Sequence, residues 1–142
     1  MNLPKSYVLD CSVALTWFFE DETTAATDAL YDVLPDADVY VAALWPLEVA
    51  NVLTLAERRG RTSDAKIGQF VDRLSKQPIT VDRQAIDRSF THLMSLAKLR
   101  KLTVYDAAYL ELAMRMGLPL ATLDDELAKA SKAEGVQLVA LR

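Results

Sequence analysis

The stretch "YVLDCSVALTW", Tyr7 to Trp17, decides how the chain is read. Tyr7–Asp10 has the pattern of a short buried strand that closes on an acid, and Val13–Glu20 reads as the helix that follows it. A carboxylate placed between two apolar runs has one local use. Asp10 or Ser12 can cap the helix, since either side chain accepts hydrogen bonds from its free N–H groups. A wider use depends on what the rest of the chain places nearby.

Outward from this point the same alternation repeats. Thr23–Leu34 reads as a helix with Ala26, Leu30 and Leu34 on one face, and Pro35 stops it. Val39–Ala42 is a second strand, Leu44–Arg59 a long helix ending before Gly60, and Ser63–Lys76 a helix with Ile67, Phe70, Val71 and Leu74 as its apolar stripe. Ile79–Val81 is a strand, and Arg83–Leu99 and Thr103–Met116 are helices, the latter stopped by Gly117. Leu120–Leu123, Asp125–Lys132 and Val136–Val139 close the chain as strand, helix and strand. Short apolar strands alternating with helices specify an α/β sandwich with a central parallel sheet covered on both faces, a three-layer arrangement.

The chain of 142 residues suits one domain, 1–142, without repeats or linkers. No apolar run approaches membrane-spanning length, and the N-terminus has no basic segment leading into an apolar one, so a soluble cytoplasmic protein is expected. The single cysteine, Cys11, excludes an internal disulfide framework and reads as a small buried hydrophobe. Sixteen Lys and Arg against twenty Asp and Glu give a net charge of −4, which discourages nucleic-acid binding unless several acids gather around a cation.

Four acids have suggestive positions. In open α/β sheets, ligands bind beyond the carboxyl ends of the strands, where strand order reverses. Asp10 ends the first strand, and "LATLDDEL" repeats the device with Asp124 and Asp125; neighbouring strands would bring them to one crevice. In "PLEVANVL", Glu48 and Asn51 share a helical face. In "TVYDAAYLELA", Asp106 lies in a helix apolar over most of its circumference, where an ionised carboxylate is costly without a partner. Local roles compete here too, since Thr103 with Asp106 could form a capping box and Asp124 could cap the next helix. Oxygen ligands without His or Cys partners suit Mg²⁺ or Mn²⁺, which can activate water against a phosphodiester. Ser12 and Asn51 would orient carboxylates or waters. His92 reads as a surface helix residue.

The set "VLDCS", "PLEVANVL", "TVYDAAYLELA" and "ATLDDEL", in this order, closely resembles the PIN-domain ribonucleases, specifically the VapC-type toxins of bacterial toxin–antitoxin pairs. The resemblance runs from Tyr7 to about Val139. It implies catalytic, metal-binding acids at Asp10, Glu48, Asp106 and Asp124, supported by Ser12, Asn51 and Thr122, with Asp125 an additional acid. It also implies strand order 3-2-1-4-5, a Mg²⁺- or Mn²⁺-dependent endoribonuclease activity, a VapB-type antitoxin partner and a homodimer. Two other readings stand beside it, an RNA-binding module without turnover and an aspartyl-phosphate phosphatase or receiver-like domain. The phosphatase pattern wants a second Asp where Ser12 stands.

With Asp10, Glu48, Asp106, Asp124 and Asp125 set aside, the remaining charge is +1. Arg58, Arg59 and Arg61 follow the Glu48 helix, while Lys98, Arg100 and Lys101 precede the Asp106 helix, so both sets are candidates for RNA phosphate contact. Trp17, Phe18 and Phe19 are consecutive, and one helix face cannot bury all three. Trp17 and Phe18 are therefore the expected partner surface.

Overall fold

Four short strands, β1 (Ser6–Leu9), β2 (Asp38–Val41), β3 (Ile79–Val81) and β4 (Leu120–Ala121), form one parallel sheet in the order β3-β2-β1-β4. The structure is a computed structural model that describes residues 2–141; Met1 and Arg142, the ends of the expected domain, lie outside the described residues. Tyr7 pairs with Val39 on one side of β1, and Val8 pairs with Leu120 on the other. Tyr7, Val8, Leu9, Val39, Val41, Leu120 and Ala121 are all buried, as continuous apolar strands covered by helices should be.

The helices are α1 (Cys11–Thr16), α2 (Ala25–Asp32), α3 (Trp45–Arg58), α4 (Asp64–Ser75), α5 (Gln84–Asp87), α6 (Met94–Arg100), α7 (Val104–Met116) and α8 (Asp125–Ala133). The central one is α7. Ala107 through Ala113 are buried without interruption, so this helix has no solvent face along its middle. Thr103 starts it by accepting a hydrogen bond from the Asp106 N–H at 3.1 Å, and Gly117 ends it in the left-handed conformation, φ 65°.

Strand order reverses between β1 and β4, which makes their carboxyl ends the topological switch point. The backbone closes this junction tightly: the Asp10 N–H donates to the Ala121 carbonyl at 3.0 Å. Asp10 and Thr122 are therefore fixed beside each other by the sheet itself.

Three expectations change. The fifth strand is reduced to a single parallel bridge between Leu120 and Leu138. β4 has only two residues, and Leu120 bonds to the segment, accepting from the Val139 N–H at 3.0 Å and donating to the Gln137 carbonyl at 2.9 Å. The helix expected over Arg83–Leu99 is broken into α5, a π-helical turn at Ser89–Leu93 and α6. The Ser89 hydroxyl donates to the Ala85 and Ile86 carbonyls at 3.0 and 2.9 Å and competes with the backbone ladder there. Finally, α1 ends at Thr16 rather than at Glu20, so Trp17-Phe18-Phe19 leaves the helix. Trp17 stacks on Tyr31 at 5.0 Å and donates its indole N–H to the Thr27 carbonyl at 3.0 Å; Phe18 packs against Phe19 and Phe70. Trp17 and Phe18 are each half-buried, and Phe18 lines a groove together with Phe19 and Arg61.

Candidate functional site

Asp10 occupies the cap position of α1 but makes no capping hydrogen bond with its side chain. Only 5% of the residue is exposed. Its Oδ2 accepts hydrogen bonds from the Ser12 and Thr122 hydroxyls, each at 2.7 Å. Those hydroxyls are held in turn, Ser12 Oγ accepting from the Leu123 N–H and Thr122 Oγ1 from the Asp124 N–H, both at 3.0 Å. The carboxylate is thus aimed by a network that spans β1 and β4, and the capping use is not made.

Glu48 lies in the first turn of α3, half-buried, and accepts a hydrogen bond from the Tyr109 hydroxyl of α7. Asp106 is half-buried in the first turn of α7. Asp124 is exposed; it caps α8, accepting from the Leu127 N–H at 2.8 Å. Its local role and its place beside the cleft coexist. Asp125 is exposed at the start of α8, and Asn51 is exposed one turn beyond Glu48, with no hydrogen bond among the described residues tying it to the carboxylates.

Carboxylate oxygens of Asp10 and Glu48 and the Cys11 sulfur lie within 4.8 Å of one another. The electrostatics extend the group. Burial raises the Asp10 carboxyl above its ordinary pKa, the Ser12 and Thr122 hydroxyls partly oppose this, and the charge of Asp124 raises it further. Burial likewise raises Glu48, opposed by Tyr109 and reinforced by Asp10 and Asp106. Asp106 is raised by burial and then by Asp124 and Asp10. All four acids share one field, and among the described residues none of them has a salt-bridge partner.

Two participants escape a reading of the sequence. Cys11 is half-buried with its sulfur in the acidic cleft, where burial and then the neighbouring carboxylates push its thiol up, so it is not a simple core residue. Tyr109 orients Glu48; its place three residues after Asp106, on the same helical face, was the available signal. Of the expected RNA-contact residues, Arg58, Arg59, Lys98 and Lys101 are exposed. Arg61 pairs with Asp21 at 3.8 Å and covers the Phe19 ring, and Arg100 pairs with Glu134 at 3.2 Å. His92 is exposed in the π turn beside Thr91, outside this cluster.

Comparison with known proteins bears on the same residues. The family model of the PIN domain matches residues 7–133, an interval that contains all four acids. The chain belongs to the PIN-domain family. Among solved structures it is similar to PAE2754 from Pyrobaculum aerophilum, at 27% identity and TM-score 0.67, covering 89% of this chain and 85% of that one. It also shares its fold with FitAcB from Neisseria gonorrhoeae, at 19% identity and TM-score 0.65 over 94% and 96% of the two chains. A toxin-antitoxin complex from Klebsiella pneumoniae contains a third such chain, at 16% identity and TM-score 0.54 over 83% and 86%. No curated protein matches the sequence. Among the described residues, no helix of this PIN domain is long and apolar enough to cross a membrane.

Proposed function

We propose that this PIN domain, read as one unit over residues 1–142, is a metal-dependent endoribonuclease and the toxin of a toxin–antitoxin pair. The observation that carries the reading is Asp10: a buried carboxylate beyond the end of β1, aimed by two hydroxyls, in one field with Glu48, Asp106 and Asp124. Several carboxylates without a cation among them in the described residues form a donor set that fits Mg²⁺ or Mn²⁺. Asp10, Glu48, Asp106 and Asp124 would hold the ion. When bound, it supplies a water of lowered pKa and stabilises charge on the phosphodiester.

The chain's own residues do the positioning. Ser12 and Thr122 fix the Asp10 carboxylate, Tyr109 fixes Glu48, and Thr103 holds the turn that carries Asp106. With His92 outside the cluster, no imidazole is placed to deprotonate a 2′-hydroxyl, so attack by water on phosphorus is favoured. Products then carry 5′-phosphate and 3′-hydroxyl ends.

Family membership and the shared fold of the Klebsiella complex support the toxin assignment. A VapB-type antitoxin, a homodimer and a cytoplasmic setting belong to the same reading. The test is purified protein with RNA in Mg²⁺ or Mn²⁺ against EDTA. Metal-dependent cleavage with 5′-phosphate ends is expected; cyclic-phosphate ends, or full activity in EDTA, would overturn the mechanism.

A further inference from the structure

A groove leads away from the acidic cluster along α8. It encloses about 440 Å³ and is walled by Thr122, Asp124 and Asp125 at the cluster end, by Lys129 and Lys132 further along α8, and by Leu138 and Leu141 of the C-terminal segment. Thr122 also holds Asp10, so one side chain belongs to both the groove and the cluster.

Lys129 and Lys132 are both exposed and three residues apart, so they present their ammonium groups on one side of the helix. Neither forms a salt bridge with another described residue. They lie about 7.5 and 12 Å along the helix from Asp124, at 1.5 Å per residue. This places two cations in a row beyond the proposed cleavage point. The walls opposite are aliphatic, and no aromatic ring among the described residues lines the groove. A stacking platform for bases is therefore missing, and the lysine end, beyond the two acids at the cluster end, is the feature left to grip a strand.

Resting on the ribonuclease reading, we propose that this groove carries the single-stranded RNA on one side of the scissile bond, with Lys129 and Lys132 each contacting a phosphate. It assigns binding to two residues outside the basic clusters that flank the motif helices in sequence. Contact with phosphate alone is indifferent to base identity.

The test is fluorescence anisotropy of the full chain with labelled single-stranded RNAs of several sequences, across a salt series, Ca²⁺ replacing Mg²⁺ so that the RNA stays intact. Lys129→Gln/Lys132→Gln should weaken binding about tenfold for every sequence. It should also flatten the log–log salt dependence by about 1.4, at roughly 0.7 per single-strand phosphate contact. Lys129→Arg/Lys132→Arg should restore both, and Arg58→Ala/Arg59→Ala should cost less. Unchanged melting temperatures would establish that all variants are folded. If wild type binds and the Gln pair binds equally well, the groove is overturned and the ribonuclease reading stands. A loss confined to one RNA sequence overturns phosphate contact. A wild type that neither binds nor cleaves RNA overturns both.

Discussion

Helix α7 carries two acids five residues apart, and the fold treats them in opposite ways. Glu111 is buried, 7% exposed, and fully paired: Arg115 Nε donates to its Oε1 and Oε2 at 2.9 and 3.1 Å, and Arg88 lies at 3.4 Å. Arg115 continues to Asp82 at 2.7 Å, tying α7 to the end of β3. Among the described residues Asp106 receives no cation, and neither do Asp10, Glu48 and Asp124 around it. The same helix shows that the chain can neutralise a buried carboxylate when stability requires it. At the β1–β4 switch point it leaves the carboxylates to repel one another, and a site built against its own stability is built for something that arrives from outside.

Breaking the paired region should cost the most stability. Arg115→Ala leaves Asp82 without its guanidinium and Glu111 with Arg88 alone, and a loss of about 3 kcal/mol is expected in denaturant melts. A change below about 1 kcal/mol would remove the contrast. Breaking the unpaired region should instead cost activity. Asp10→Asn should lower single-turnover RNA cleavage at least about a hundredfold, equivalent to about 2.7 kcal/mol of barrier, while the variant still melts cooperatively.

The unpaired acids also predict a pH dependence with a definite sign. Asp10, Glu48 and Asp106 have folded-state pKa values above their ordinary ones, so in EDTA the folded state binds more protons than the unfolded state between the two values. Their contribution is fully present below the unfolded carboxylate range, about 4, and is lost as pH rises through the folded values. Melting in EDTA from acid to neutral pH should show this decline, and Asp106→Asn should shallow it. A decline equally steep in the variant would mean that Asp106 does not feel its neighbours. Smaller still, Tyr109→Phe removes only the hydrogen bond that orients Glu48, so several-fold loss in rate is expected with about 1 kcal/mol of stability. His92→Ala should leave cleavage unchanged.

Much of this was legible in the sequence, because acids at strand ends and in apolar helices announce themselves locally. Asp10, Glu48, Asp106 and Asp124 stand out in this way, and the β3-β2-β1-β4 order agrees with the order implied by family resemblance. What was not legible depends on contacts distant in the chain. Tyr109 meets Glu48 across 61 residues, and Thr122 meets Asp10 across 112. Cys11 reads as core because a free cysteine is commonly buried, yet its sulfur lies beside the Asp10 and Glu48 carboxylates. Three consecutive aromatics do not reveal where the helix stops; with α1 ending at Thr16, the Trp17 ring packs on Tyr31. The break at Ser89 rests on hydroxyls competing for carbonyls, which periodicity does not register.

The most direct measurement is thermal melting of wild type and Asp106→Asn, each in EDTA and in a titration of Mg²⁺ or Mn²⁺. In EDTA the Asn variant should melt at or above wild type, since one repelling charge is gone. Metal should stabilise wild type by about 2.7 kcal/mol at a hundred times its dissociation constant and the variant far less. A variant that melts clearly lower in EDTA, beside a wild type indifferent to both metals, would make Asp106 a structural residue and contradict the metal-centre account.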